Sequence, residues 1–282
     1  MIKTFFSVLM CTFSLLCFSQ STEIKLIVRG DDMGYTHSGN LALIECYKNG
    51  IQKSIEVIVP SPWFPEAVKL LRDNPGVDVG IHIALTSEWD NIKWRPLTDC
   101  KSLKDSNGYF FPMVNPNKNY PGLSIAENKP TINDVEMEIR AQIEMALKNI
   151  PRASHISGHM GCTNLSAEVR QMVARLTKEY NLLNEADLSG VEYVGFGEQV
   201  ISSKEKISRF VGLLDKLQPG KTYLFVEHPG LNNDELKAVH HIGYENVASD
   251  RQGVTDMFTS KEVKEKIKSK NIRLISYADL KQ

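Results

Sequence analysis

Apolar runs of strand length alternate with apolar positions at helical spacing along most of this chain. Ile24–Val28, Ser54–Val59, Val77–Ile83, Ala153–Ser157, Thr222–Val226 and Ile272–Ser276 read as short buried strands. Between them, Gly39–Asn49, Pro65–Arg72, Ala167–Tyr180, Ser203–Leu217 and Lys261–Lys268 read as helices. The clearest helix is Ile132–Lys148, where Val135, Ile139, Ile143 and Leu147 recur at a 3.6-residue period. Asn133 is its expected N-cap, with Glu136 three residues on. Leu182–Val194 holds one or two further strands. A regular β-α alternation predicts parallel strands with helices outside, an α/β architecture.

Two segments stand apart from this rhythm. Met1-Ile2-Lys3 carries one positive charge, Phe5–Phe18 is almost wholly apolar, and small residues follow near Ser19. Residues 1–19 read as a secretory signal peptide, the apolar run being short for a membrane span, with a retained membrane anchor the alternative reading. The expected location is therefore secreted or periplasmic, without a stable span after processing; a lipoprotein through Cys17 fits less well, because Leu16 precedes the cysteine. The other segment, residues 87–130, is rich in Pro, Asn, Gly and aromatics. It follows the third strand, so it should lie over the same end of the sheet as the residues after the first. Residues 20–282 are expected to form one domain.

Composition narrows the function. Of 282 residues, 33 are Lys or Arg and 34 Asp or Glu, with no basic block, which argues against nucleic acid as a partner. Cys46, Cys100 and Cys162 are odd in number and widely spaced. They suggest core thiols rather than a disulfide framework or a zinc knuckle.

The chemistry lies just past the strands. Asp31 and Asp32 follow the first, flanked by Gly30 and Gly34. Like charges that close raise each other's pKa, and burial adds to the penalty. Such a pair is kept where a metal or a proton transfer uses it. His82 ends the third strand, His155 and His159 flank the fourth, and Glu227-His228 follow a later one. Parallel strands would bring all of these to one face. One Asp with two or three His suits a divalent metal such as Zn²⁺ with positions left open. Each residue alone has a plainer reading: His82 as a core histidine, Asp31-Asp32 as a turn or capping pair. Their joint placement at strand ends favours a site. His240 and His241 are read as structural, and His37 is unassigned.

These motifs resemble those of the YdjC-like carbohydrate deacetylases. Asp31-Asp32-Met33-Gly34 is similar to the family's Asp-Asp-Phe-Gly, and Gly80–Thr86 to its Gly-Leu-His-Leu-x-Leu-Thr strand. His155–Gly161 is similar to its His-x-Asp-Ser-His segment, and Glu227–Gly230 to its His-Pro-Gly. Arg251 and the ending Thr259–Leu280 match its closing helix and strand. The resemblance implies a single distorted (β/α) TIM-like barrel and a hydrolase that removes acetyl groups from N-acetylated sugars or oligosaccharides. It also implies one divalent metal, Mg or Zn, and leaves a homodimer open. The implied ligands are Asp32, His82 and His159. Asp31 would be the general base and His228 an acid for the departing amine. His155 would stand behind the ligands or be one itself. Trp89, Trp94 and Arg251 are candidates for substrate contact, with packing of the long loop the alternative for the two tryptophans. Ser157 stands where many relatives carry Asp, so a catalytically silent carbohydrate-binding protein, or a hydrolase of another amide or ester, are the competing readings.

Overall fold

The computed structural model describes residues 23–197 and 202–281. The signal-peptide reading falls on residues outside these. Eight strands occur among the described residues: β1 (Ile24–Met33), β2 (Ser54–Val57), β3 (Asp78–Ile83), β4 (His155–Gly158), β5 (Leu183–Asn184), β6 (Val191–Val194), β7 (Thr222–Glu227) and β8 (Ile272–Ile275). All pair in parallel, in the order β5-β4-β3-β2-β1-β7-β6. β7 takes one edge of β1. The other edge is shared by β8, along Ile24–Ile27, and β2, from Arg29 onward. Among the described residues no ladder joins β5 to β6, so the sheet curls into an open, distorted (β/α) barrel.

The helices among the described residues are α1 (His37–Asn49), α2 (Phe64–Arg72), α3 (Ile125–Asn128), α4 (Ile132–Asn149), α5 (Ala167–Glu179), α6 (Ser203–Lys216), α7 (Asp234–Lys237), α8 (Val247–Thr259) and α9 (Lys261–Ser269). Hydroxyl caps set most of their starts: Thr36, Ser166, Ser202 and Ser260 accept from backbone N–H groups in the first turns of α1, α5, α6 and α9. On α4 the cap is Thr131 rather than Asn133, because Thr131 Oγ1 already accepts from Asp134 N. α8, not read as a helix from the sequence pattern, packs beside α1 and α6 and buries Val254, Met257 and Phe258. Cys46, Cys100 and Cys162 are buried free thiols, as expected. No described helix is long and apolar enough to cross a membrane.

β1 runs past its apolar stretch to Met33, so Asp31 and Asp32 lie within the strand rather than after it. The pairing slips there: Gly30 faces Ile55, but Met33 faces Val57, which leaves one extra residue on β1. Asp32 takes φ 71, the left-handed region that Asp enters more readily than most residues. In a regular strand successive side chains alternate faces. The bulge breaks that alternation, and both carboxylates line one cavity.

A second packing rule operates across β2, β3 and β4. Glu56 pairs with Gly80, and Gly80 pairs with His155, so the three lie in one row. Having no side chain, Gly80 lets Glu56 reach across β3 to His155, Oε1 to Nε2 at 2.5 Å. A Cβ at position 80 would meet the Glu56 carboxylate oxygens at 2.2 and 2.3 Å. Burial works against ionisation of Glu56, but His155 and Arg29 overcome it and hold the carboxyl down at about 2.

Two outcomes follow from this row. Gly80→Ala should lower stability by roughly 1–3 kcal/mol through overpacking, read as a drop in the urea midpoint at unchanged slope. Because the folded Glu56 sits below its ordinary 4.5, its contribution is complete above 4.5 and lost as pH falls toward about 2. The urea midpoint should fall through that window in the wild type and fall less in Glu56→Gln.

Candidate metal centre

At the C-terminal end of the strands lies a cavity of about 480 Å³. Asp31, Asp32, His82, Glu88, Trp89, His159, His228, His241, Tyr244 and Arg251 contribute to its lining. β1 supplies the two aspartates, β3 His82, and the turn after β4 His159. That turn passes through left-handed Met160 and Gly161 (φ 50 and 72), which swings the chain round directly behind the histidine. His228 follows β7, and Arg251 projects from α8. A larger cavity of about 710 Å³ lies against β6 and α6, but its lining holds no histidine and no group suited to general acid or base work at neutral pH beyond surface charges.

Asp31 and Asp32 are 3% and 1% exposed, and each has its own counter-charge. Arg29 clamps Asp31 with two bonds, Nε to Oδ1 at 2.7 Å and Nη2 to Oδ2 at 2.9 Å. The guanidinium is itself held by Tyr277 Oη at 2.8 Å and Glu185 at 2.5 Å. Arg251 Nη2 donates to Asp32 Oδ2 at 2.9 Å, and its guanidinium lies over the rings of both Tyr35 and Trp89, 4.7 and 5.1 Å from their centroids. Burial alone would raise the Asp32 pKa, as would a like-charged neighbour. His228, His159 and Arg251 reverse this and hold it well below the usual carboxylate range.

The three residues named as ligands by the resemblance converge. One donor atom from each of Asp32, His82 and His159 lies within 4.8 Å of the others. His159 Nδ1 is 3.1 Å and His82 Nε2 3.6 Å from Asp32 Oδ1. Neither contact has hydrogen-bond geometry, so Asp32 Oδ1 is buried without a hydrogen-bond partner. Its one close neighbour, His159 Nδ1, faces it as a charged pair outside hydrogen-bond geometry, and a cation among these three atoms would replace that contact with direct bonds.

Protonation differs between the two imidazoles. Burial pushes His82 down to about 4, so it is neutral at physiological pH. Burial also works to lower His159, but Glu88 and Asp32, one at each ring nitrogen, raise it to about 10. Glu88 Oε2 lies 2.9 Å from His159 Nε2, a carboxylate–imidazole contact of the kind that orients metal-binding histidines.

His155 stands apart from this set. Its Nε2 faces Glu56 and its Nδ1 faces Ser154 Oγ at 2.7 Å, with the ring stacked on Tyr277 at 3.7 Å. Both nitrogens are engaged in protein hydrogen bonds, so His155 lies behind the cavity and offers it no donor. His228 Nε2 is 3.9 Å from Asp32 Oδ2 on a side chain 40% exposed, at the open side.

The tryptophans divide. Trp89, 2% exposed, lines the cavity near His241, whose ring is 5.5 Å away. Trp94, 3% exposed, is absent from the lining and packs behind His159, centroids 6.3 Å apart. Phe110, Phe111 and Tyr120 of the long loop are buried and pack it onto the barrel, while Tyr109 is half-buried. His241, read from the sequence as structural, is part of the cavity wall, whereas His37 pairs with Glu66 at 2.7 Å outside the lining. Sequence reasoning gave no role to Arg29, Glu56 or Glu88. Arg29 lies two residues before Asp31 at the end of a buried strand, and Glu56 interrupts an apolar run; both charges signalled a buried partner. Glu88 carried no such signal.

The family model described as YdjC-like protein matches residues 25–269. A carbohydrate deacetylase of Clostridium beijerinckii is 29% identical over 267 residues, 91% of this chain and 100% of that protein. One of Enterococcus faecalis is 28% identical over 273 residues, 91% of this chain and 98% of the relative. Among solved structures, a candidate cellobiose-phosphate cleavage protein from Enterococcus faecalis superposes with a TM-score of 0.73 at 24% identity, covering 92% of this chain and 99% of that one. That superposition shows the same fold. With the match extending over all eight strands except the last, and over every residue of the cavity wall, the chain belongs to the YdjC-like family.

Proposed function

We propose that this protein is a divalent-metal-dependent deacetylase that hydrolyses the N-acetyl group of a sugar or short oligosaccharide. The observation that carries the reading is the buried, hydrogen-bond-free Asp32 Oδ1 facing one nitrogen each of His82 and His159. Relatives named carbohydrate deacetylase, matched over 91% of this chain, support the substrate class. Two imidazoles and one carboxylate suit Zn²⁺ better than Mg²⁺, which prefers an all-oxygen shell. When bound, the cation polarises the acetamide carbonyl and lowers the pKa of water.

The chain's own residues do the rest. Arg29 holds Asp31 in one orientation, while each Asp31 oxygen keeps a further lone pair for a proton from the attacking water. The water oxygen adds to the carbonyl carbon, the C–N bond breaks, and the amine leaves with a proton. His228, on the open side of Asp32, is placed to give that proton. Arg251 steadies Asp32 and, with Trp89, His241 and Tyr244, closes one wall of the cavity. The half-buried rings of His241 and Tyr244 offer faces against which a sugar can pack. The leader-like residues 1–19 support a secreted or periplasmic site of action.

Zinc-loaded protein should release acetate from a panel of N-acetylated sugars and short glycans; no release from any of them would sink the deacetylase reading. Asp32→Ala should abolish both zinc binding and turnover. Asp31→Asn should keep zinc bound and lower kcat by roughly 10²–10⁴-fold. Equal loss of zinc in the two variants would make Asp31 a ligand instead of a base. Since His159 is raised to about 10 in the metal-free protein, it is protonated at neutral pH and must shed a proton to offer Nδ1. Zinc affinity should therefore weaken as pH falls. Calorimetry in buffers of different ionisation enthalpy should show about one proton released per zinc at neutral pH.

A further inference from the structure

Beneath the cavity, on the far side of His82, lies a buried polar chain that the reaction does not touch. It runs from Asp78 through Ser154, His155 and Glu56 to Ser157, and ends on His82 Nδ1. Ser157 stands at the position where the motif that the sequence resembles carries Asp. Glu56, from β2, is fully buried.

The directions of these bonds can be worked out from proton counts. A hydroxyl has one proton, and an ionised carboxylate only accepts. Ser154 Oγ gives its proton to Asp78 Oδ1 at 2.6 Å, so toward His155 Nδ1 it can only accept. His155 Nε2 donates to Glu56 Oε1. His155 is then protonated on both nitrogens, and its charge balances Glu56 in the dry interior. Ser157 Oγ gives its single proton to the other Glu56 oxygen, Oε2. Toward His82 Nδ1, 2.7 Å away, Ser157 Oγ can therefore only accept. His82 Nδ1 must therefore carry a proton, and a ring with a single N–H then has its lone pair on Nε2. That is the atom 3.6 Å from Asp32 Oδ1.

We propose that Glu56 is a positioning residue for the metal centre, acting through the Ser157 hydroxyl to hold His82 in the tautomer that presents Nε2 to the cation. A carboxylate from a neighbouring strand, relayed by a serine, thus takes over what an Asp at position 157 would do directly. Gly80 leaves room for Glu56 to cross β3. The inference rests on the metal-centre reading for its consequence, but the tautomer can be measured without metal.

The test uses metal-free protein with ¹⁵N-labelled histidine, with His82 assigned by comparison with His82→Asn. Long-range ¹⁵N–¹H correlations should show the wild-type His82 proton on Nδ1. Ser157→Ala and Glu56→Gln should shift His82 to a mixture of tautomers and weaken Zn²⁺ affinity by about 10–100-fold in calorimetry. Ser157→Asp placed on Glu56→Gln should restore both, because the new carboxylate accepts from Nδ1 directly. Recovery by that variant separates positioning from a general loss of packing, and Ser157→Ala covers the case in which Glu56→Gln fails to fold. A wild-type proton on Nε2, or unchanged tautomer and zinc affinity in folded Ser157→Ala, would overturn the relay. An intact Nδ1–H tautomer in a wild type that binds no Zn²⁺ would overturn the metal-centre reading, and with it the purpose assigned to Glu56.

Discussion

The burial of two adjacent carboxylates at the end of β1 is the constraint to which the surrounding structure answers. Two like charges a residue apart, both nearly without solvent, would ordinarily drive one another toward protonation. Instead each is matched by a dedicated guanidinium: Arg29 from the same strand for Asp31, Arg251 from α8 for Asp32. The bulge in β1 makes the arrangement usable. Without the extra residue and the left-handed Asp32, alternation would send one carboxylate out of the cavity. The local strain is located where the chemistry is, as is common for residues held in sparse backbone regions.

Further buried ionic groups lie in layers beneath this pair. Arg29 links Asp31 to Glu185 and Tyr277, and Tyr277 stacks on His155. His155 pairs with Glu56, whose second oxygen takes the Ser157 proton. Each charged group of this stack has at least one partner of opposite sign, which is the condition under which such a core is tolerated. At the cavity itself Asp32 Oδ1 is buried without a hydrogen bond where two histidine nitrogens approach it, and so are Nε and Nη1 of Arg251 buried without hydrogen bonds. The hydrogen-bonded network beneath holds shape, whereas the unsatisfied atoms of Asp32 and Arg251 belong to residues of the cavity wall.

The long segment after β3 has both roles. Its aromatics fill the space over the barrel mouth, and Trp94 backs His159. Its first residues reach the cavity itself, with Glu88 on His159 and Trp89 under Arg251. Packing was the better reading for Trp94, while Trp89 belongs to the wall as well as the core.

The sequence by itself determined the alternation of strands and helices, because period and run length are local properties. It also determined which polar residues would stand at strand ends, and so brought Asp31, Asp32, His82, His159 and His228 to one face. Their family motifs were legible for the same reason, being short and contiguous. Only the tertiary structure decided the partners. Arg251 meets Asp32 across 219 positions of the chain, and Ser157 meets Glu56 across 101. It likewise decided that His155 has no nitrogen to offer, that Trp94 is walled in, and that Asp32 is held ionised rather than protonated. These outcomes depend on which groups are brought within a few ångström in a dry interior, where Coulomb and hydrogen-bond energies are largest and a single intervening side chain, such as one at Gly80, would change them.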